Sequence, residues 1–360
     1  MQPTHAMMQP RRDLPLRPLT TFGVAGTAAI AWTLDHLDQV DPLLEKLARA
    51  PAAALPFVLG GGSNVLFVRD LQEPLILVRL RGRRLLDDDG SQVLLEVGAG
   101  EVWDEIVRYT LAQGWFGLEN LSLIPGLAGG APWQNIGAYG VEVAEAIESV
   151  DAVDLRSGTR RRFGAADCGF GYRSSYFKTG PGRQWLITAL RLRLSRQPQP
   201  RTGYGEIRAE LDAQAAQVEA GGRAGTAEPT PQQVAQAVRA IRRRKLPDPQ
   251  AVGNAGSFFK NPVIDRDAAE ALRTSFPALP AYPVAGEPQL AKLSAGWLIE
   301  AAGWKGFRDG DAGVSAQHAL VLVNHGTASG RQLLALAQRI QQSVQERFGV
   351  ALEPEPVIVA

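Results

Sequence analysis

Residues Ile124–Gly140 read Ile-Pro-Gly-Leu-Ala-Gly-Gly-Ala-Pro-Trp-Gln-Asn-Ile-Gly-Ala-Tyr-Gly, five glycines and two prolines in seventeen residues with apolar side chains throughout. A flexible linker is polar and rich in Ser and Gly. Glycine alternating with Leu, Trp, Ile and Tyr instead predicts main chain wrapped closely on something large and flat. Glycine admits positive φ and close approach, and proline limits the freedom of the loop. A bulky cofactor is one such object; a buried cluster of structural turns is the alternative.

A second cluster, Gly60-Gly61-Gly62-Ser63-Asn64, lies between the apolar runs Leu55–Leu59 and Val65–Val68, both of which read as strands. Successive backbone N–H groups in such a turn form an anion-binding concavity, with Ser63 and Asn64 adding side-chain hydrogen bonds. No Lys-Ser/Thr pair follows, so this is not a Walker A loop. The residues beyond are strand-like where the dinucleotide fingerprint opens a helix. The two clusters together suggest a pyrophosphate held outside any Rossmann unit.

Composition narrows the class. A chain of 360 residues predicts two or three domains with a real core. Formal net charge is +1, which favours neither nucleic acid nor an anionic membrane. The basic clusters Arg160–Arg162 and Arg242–Lys245 are too short for a polyanion groove. The single cysteine, Cys168, excludes a disulfide framework and is expected to be a buried hydrophobe. His5, His36, His318 and His325 have no ligand spacing, so no metal site is expected. The N-terminal residues lack the apolar core of a secretory signal, Met7 and Met8 are alternative starts, and no run of about eighteen apolar residues could span a membrane. A cytoplasmic protein is expected.

Strands are expected at Pro74–Leu80, Val93–Val97 and Leu186–Leu194, where Leu186, Leu190, Leu192 and Leu194 share a face. A helix carries Val102, Ile106 and Tyr109, with Gly114 placed to cap its end. Segment 214–229, rich in Ala, Gln, Gly and Glu, reads as an exposed linker. Thr230, Pro231 and Gln233 then spell a helix start as N-cap, N1 and capping box, followed by the stripe Val234, Ala237, Val238, Ile241. A last helix, Gly330–Phe348, repeats apolar residues at three and four and faces the core.

A third dense segment is Gly253-Asn254-Ala255-Gly256-Ser257-Phe258-Phe259-Lys260-Asn261-Pro262. Ser257 follows two glycines and precedes two aromatic rings, so its hydroxyl is able to project into an apolar cleft. No Gly-x-Ser-x-Gly elbow surrounds it, which argues against a serine hydrolase. Read alone, Ser257 is a turn residue as readily as a catalytic one.

These blocks, with Thr20–Val24, Gly117–Leu121, Phe170–Ser175, Lys245–Pro249, Ala295–Ile299 and Leu352–Pro356, resemble in order and spacing the UDP-N-acetylenolpyruvoylglucosamine reductase family, in the branch with a longer lid loop, over roughly residues 19–357. The resemblance implies an α+β chain: a two-part FAD-binding region of the vanillyl-alcohol-oxidase type and a C-terminal α+β substrate domain. The implied division is an N-terminal tail at 1–18, FAD subdomains at 19–80 and 81–213, the linker at 214–229, a substrate domain at 230–348, and a segment at 349–360 that returns a glutamate to the site.

It further implies FAD held by Gly60, Gly61, Gly62, Ser63, Asn64, Pro125, Gly126, Gly129, Gly130, Asn135, Gly137, Ala138 and Gly140, with NADPH as co-substrate. The family reads Ser-Ser-Pro where this chain has Gly130-Ala131-Pro132, so two side-chain hydroxyls are missing. The implied substrate is UDP-N-acetylglucosamine enolpyruvate. Arg173 and Glu355 are implied to stabilise the developing enediolate, with Glu355 raised in pKa, and Ser257 to protonate the adjacent carbon. Tyr204, Lys245, Asn261, Tyr282 and Lys292 are implied substrate contacts. A monomer with no nucleic-acid or membrane partner is expected. Without the resemblance, Arg173 reads as an ion-pair residue and Glu355 as a surface carboxylate. Two other functions remain open: a flavin oxidase of the same fold acting on another substrate, and a non-catalytic nucleotide-sugar binder.

Overall fold

The structure is a computed structural model that describes residues 9–48, 55–220 and 228–360. Its strands and helices separate into two compact units, each assembled from non-contiguous segments. The first takes the described parts of Met1–Leu14, Ala28–Gly61 and Gln72–Arg242.

In that first unit, four strands order as Arg11–Pro15, Thr27–Leu34, Leu75–Val78 and Phe57–Leu59, the last three mutually parallel. A second sheet of five strands is antiparallel and centres on Trp185–Ser195, flanked by Ile147–Asp154 and Gln92–Gly98. Alternation along Trp185–Ser195 buries Leu186, Leu190, Leu192 and Leu194 together, as the pattern predicted. Both sheets meet in one core with Trp32, Leu34, Ile76, Trp103, Ile106 and Val107. Helix Trp103–Ala112 ends before Gly114, whose φ of 71° accepts the left-handed turn that follows.

Two expectations change here. Residues 9–18 are not a tail: Arg11–Pro15 joins the sheet, and Leu14 and Leu16 are buried. The linker expected from 214 is helical to Ala220, as the end of helix Gly205–Ala220; residues 221–227 lie outside the described ones. Ala, Gln and Glu favour a solvated helix as much as a linker, and Ile207 and Leu211 anchor this helix against Val234, Ala237, Val238 and Ile241. That second helix, Pro231–Lys245, starts at the Thr230–Gln233 capping box, with Thr230 N donating to Gln233 Oε1 at 2.7 Å. As far as Arg242 it belongs to the first unit, so the compact units cut across the expected boundary at 230.

The second unit takes Pro15–Thr27, Gly62–Leu71 and Arg243–Ala360. It holds a four-stranded antiparallel sheet (Gly253–Asn254, Leu322–Asn324, Ala312–Val314, Arg308–Asp309) and a three-stranded one (Val263–Asp265, Glu287–Leu293, Ala281–Val284). Helix Gly330–Phe348 is capped by Ser329 and Gln332 and buries Leu333, Leu336, Ala337, Ile340, Val344 and Phe348. Strand Val65–Phe67 pairs in parallel with Val357–Val359, Val65 opposite Val357. With helices and largely antiparallel sheets segregated along the chain, the fold class is α+β.

Candidate active site

In the first unit the first two glycine clusters touch through bare main chain. A Cβ on Gly61 would lie 2.8 Å from Gly126 Cα, and one on Gly129 would lie 2.8 Å from Ala99 Cβ. Gly60 faces Leu127, while Gly126, at φ 119°, accepts from Trp103 N at 3.0 Å. A Cβ on Gly130, in contrast, meets open space. The segment continues into a tight hairpin, Gly137–Ala138 against Val141–Glu142, whose tip residues Tyr139 and Gly140 have φ of 50° and 80°.

Arg173 is brought to this hairpin. Its Nη2 donates to Gly137 O at 2.6 Å, and its Nη1 lies 3.0 Å from where a Gly137 Cβ would stand. A Cβ at 137 would also meet Glu142 Cγ at 3.0 Å and Val141 O at 3.1 Å, so the hairpin and the guanidinium together crowd this position. Arg173 itself has a φ of 53°, its guanidinium lies 5.4 Å from the Tyr172 ring centroid, and its carbonyl accepts from Lys178 Nζ at 3.2 Å. A left-handed arginine is uncommon and marks a site where backbone strain is tolerated.

Asn135 plays a different part from the rest of the cradle. It is 0% exposed, its Nδ2 donates to Glu142 Oε2 (2.7 Å) and Gly171 O (3.0 Å), and its Oδ1 accepts from Ala144 N (3.1 Å). Its side chain fastens the hairpin to the Arg173 loop and has no amide hydrogen or free face left for a ligand. The remaining first-unit residues, Gly60, Gly61, Pro125, Gly126, Gly129, Gly130, Gly137, Ala138 and Gly140, present almost no side chain. That is what the close approach of a flat dinucleotide requires, and these residues fit FAD.

Gly62, Ser63 and Asn64 belong to the second unit, where a Cβ on Gly62 would fall 1.9 Å from Leu19 O. Asn64 reaches the end of the chain: its Nδ2 donates to Glu355 O at 3.3 Å and its carbonyl accepts from Val357 N at 3.0 Å. Glu355 N in turn donates to Phe258 O at 2.8 Å, Phe259 bridges Pro354, and Lys260 N donates to Glu353 O at 2.9 Å. The glycine turn, the serine segment and the returning glutamate are thus one hydrogen-bonded assembly. Ser257 is half-buried, and among the described residues its hydroxyl has no hydrogen-bond partner. Asn254 sets the turn before it, accepting from Gly256 N at 2.9 Å and donating to Pro247 O and Val252 O. Phe258 is held edge-on between Phe22 and Phe259.

Of the expected substrate contacts, Tyr204 lies in the first unit, 50% exposed, and the others in the second. Tyr282, also 50% exposed, stands opposite Lys292 across neighbouring strands. Asn261 Oδ1 accepts from Ala295 N at 3.0 Å, at the start of helix Ala295–Ala301. Lys245 ends helix Pro231–Lys245 and is half-buried.

Three first-unit residues that sequence reading passed over hold the cradle in place. Asn120 donates from Nδ2 to Tyr139 O (2.9 Å) and Arg201 O (3.0 Å). Arg242 donates to Leu123 O at 3.2 Å and to the Tyr139 hydroxyl; burial pushes its guanidinium below the ordinary arginine value. Burial likewise raises Tyr139, so its hydroxyl stays protonated. The one available signal was a Tyr-Gly pair at a point where hairpins carry Asn-Gly.

Cys168 is buried, and burial pushes its thiol up to about 12, so it is no nucleophile. Native protein at neutral pH is expected to resist iodoacetamide at least about 100-fold better than urea-unfolded protein, and equal labelling rates would contradict this. No group of His, Cys, Asp or Glu able to hold a metal occurs among the described residues. A separate cleft of about 750 Å³ on the first unit shares no residue with the cradle. Its arginines are largely engaged by carboxylates, as Arg191 is by Glu96 and Asp151.

Two family models match the chain: UDP-N-acetylenolpyruvoylglucosamine reductase, C-terminal domain, over residues 248–359, and an FAD binding domain over residues 37–164. UDP-N-acetylenolpyruvoylglucosamine reductase of Chromobacterium violaceum is 50% identical over 353 residues, covering 98% of this chain and 99% of that one. The Pseudomonas aeruginosa reductase is 50% identical over 342 residues, covering 95% and 96%. Among solved structures, UDP-N-acetylenolpyruvylglucosamine reductase from Thermus caldophilus is similar with a TM-score of 0.63 at 28% identity, over 98% of this chain and 100% of that one.

Proposed function

The chain belongs to the UDP-N-acetylenolpyruvoylglucosamine reductase family, and from that premise we propose that it reduces the enolpyruvyl group of UDP-N-acetylglucosamine enolpyruvate to the lactyl ether, giving UDP-N-acetylmuramate for peptidoglycan. It is an FAD-containing oxidoreductase, with NADPH as the proposed hydride donor. We place it in the cytoplasm as a monomer; among the described residues no helix is long and apolar enough to cross a membrane.

When bound, FAD supplies the two-electron relay that takes hydride from NADPH and delivers it to the terminal vinyl carbon. The chain's own residues do the rest. Gly60, Gly61, Gly126, Gly129 and Gly137 give the cofactor bare main chain to lie on. Hydride addition pushes negative charge into the substrate carboxylate, and the Arg173 guanidinium meets that charge in a fixed orientation. Glu355, donating a hydrogen bond, joins Arg173 in stabilising that charge, and Ser257, at the head of a relay of proton donors, transfers a proton to the adjacent carbon. Adding one hydride and one proton across the double bond balances the oxidation of NADPH. Tyr204 covers the bound substrate, Lys245 meets its diphosphate, and Asn261, Tyr282 and Lys292 hold the remainder.

The observation that carries this reading is Arg173 bonded to the Gly137 carbonyl inside the glycine cradle at 2.6 Å. The test follows flavin colour in two separate steps: NADPH is expected to bleach the purified yellow protein, and UDP-N-acetylglucosamine enolpyruvate to restore the colour without oxygen. Colour that returns with oxygen but never with that substrate rejects the assignment in favour of an oxidase.

A further inference from the structure

Tyr139 occupies a position that a two-residue hairpin ordinarily gives to Asn, Asp or Gly. The pairs Gly137–Glu142 and Ala138–Val141 close the turn, and both residues between them are left-handed, Tyr139 at φ 50° and Gly140 at φ 80°. A bulky residue in that region is strained and persists only where its surroundings over-determine it. Three restraints do so here. Asn120 Nδ2 holds the Tyr139 carbonyl at 2.9 Å, Arg242 bonds the hydroxyl, and the ring packs on the apolar cluster of Ile207, Leu211, Val234 and Ile241.

What the strained turn presents is a ring face. Tyr139 and Tyr204 meet edge to face, their centroids 5.5 Å apart and their planes at 80°. The loop carrying Tyr204 is fixed at both ends. Near its root, Arg201 O accepts from the same Asn120 Nδ2 at 3.0 Å, and at its close Tyr204 O accepts from Ile207 N at 2.9 Å. Asn120 therefore sets the spacing between Tyr139 and the loop, while the exposed Tyr204 ring has its aromatic contact with Tyr139.

We propose that Tyr139 is a positioning residue for Tyr204, the fixed seat against which that ring closes over the enolpyruvyl substrate, with Asn120 setting the distance between the two. The proposal rests on the reading that Tyr204 covers this substrate. It explains why strain is kept at the hairpin tip: asparagine would relax the turn but leave Tyr204 nothing to close on.

A double-mutant cycle on the full-length flavoenzyme tests it. Tyr139→Leu and Tyr204→Leu are each expected to raise KM for the enolpyruvyl substrate about tenfold with kcat changed less than about threefold, and the double variant also about tenfold instead of a hundredfold. Tyr139→Phe, which keeps the ring, is expected to stay within about threefold of the wild-type KM. Should Tyr139→Leu lose its flavin, Asn120→Ala replaces it in the same cycle with the same expected non-additivity. Independent, multiplicative effects, or an unchanged KM in Tyr139→Leu, overturn the seat while leaving the reductase assignment intact. A wild type inert toward the enolpyruvyl substrate overturns both.

Discussion

Ser257→Ala is expected to leave flavin reduction by NADPH within about twofold of wild type and to slow reoxidation by UDP-N-acetylglucosamine enolpyruvate by about 10²–10⁴-fold, the range general acids contribute. The asymmetry follows from position. Ser257 sits on the segment zipped to Glu353–Glu355, with an uncommitted hydroxyl, and its proposed task begins only after hydride has reached the substrate. A serine that merely shaped the Gly256 turn would give an alanine variant with lower thermal stability and both steps slowed alike. Stopped-flow absorbance of each half-reaction separates these outcomes. Equal slowing of the two, or no slowing of either, removes Ser257 from the mechanism.

Gly61→Ala is expected to purify with little or no flavin, with FAD affinity lowered at least about 100-fold and stability lowered by about 1–3 kcal/mol, the usual cost of overpacking. Its new methyl would stand 2.8 Å from Gly126 Cα, backbone against backbone, with no flexible side chain to give way. Gly180→Ala is the control, because its methyl enters open space and Gly180 lies outside the cradle; it is expected to retain FAD within a few-fold. Isothermal titration of apoprotein with FAD, together with thermal unfolding, reads both quantities without an activity assay. If the two variants bind FAD equally well, the glycine clusters are not the cradle.

Much of this was legible along the chain because the determinants are local. Positive φ and close approach demand glycine, so Gly60–Gly62, Gly126 and Gly137 announce themselves in sequence. The capping box at Thr230 fixed one helix start to the residue, and the apolar repeat from Leu333 to Phe348 is the buried face of its helix. What stayed hidden depends on partners distant in sequence. Asn120 looks like one more polar loop residue until Tyr139 and Arg201, 19 and 81 residues away, meet its amide. Arg242 reads as part of a surface cluster, yet its guanidinium is drawn inward to Leu123 and Tyr139. The resemblance places Asn135 at the cofactor, whereas its side-chain amide is spent on Glu142, Gly171 and Ala144. The helix Gly205–Ala220 was missed because a mostly solvated helix with few buried positions has the composition of a tether.

The pairing of Val65–Phe67 with Val357–Val359 also dictates an order of events during synthesis. Asn64 and Glu355, which flank this ladder, are 291 residues apart. At ~5–20 residues per second on the ribosome, the apolar Val-Leu-Phe strand waits on the order of tens of seconds for its sole described partner. Throughout that interval it offers an unprotected edge to any other nascent chain. Slowing translation near the 3′ end of the message, which prolongs that interval, is therefore expected to increase aggregation without altering the finished protein.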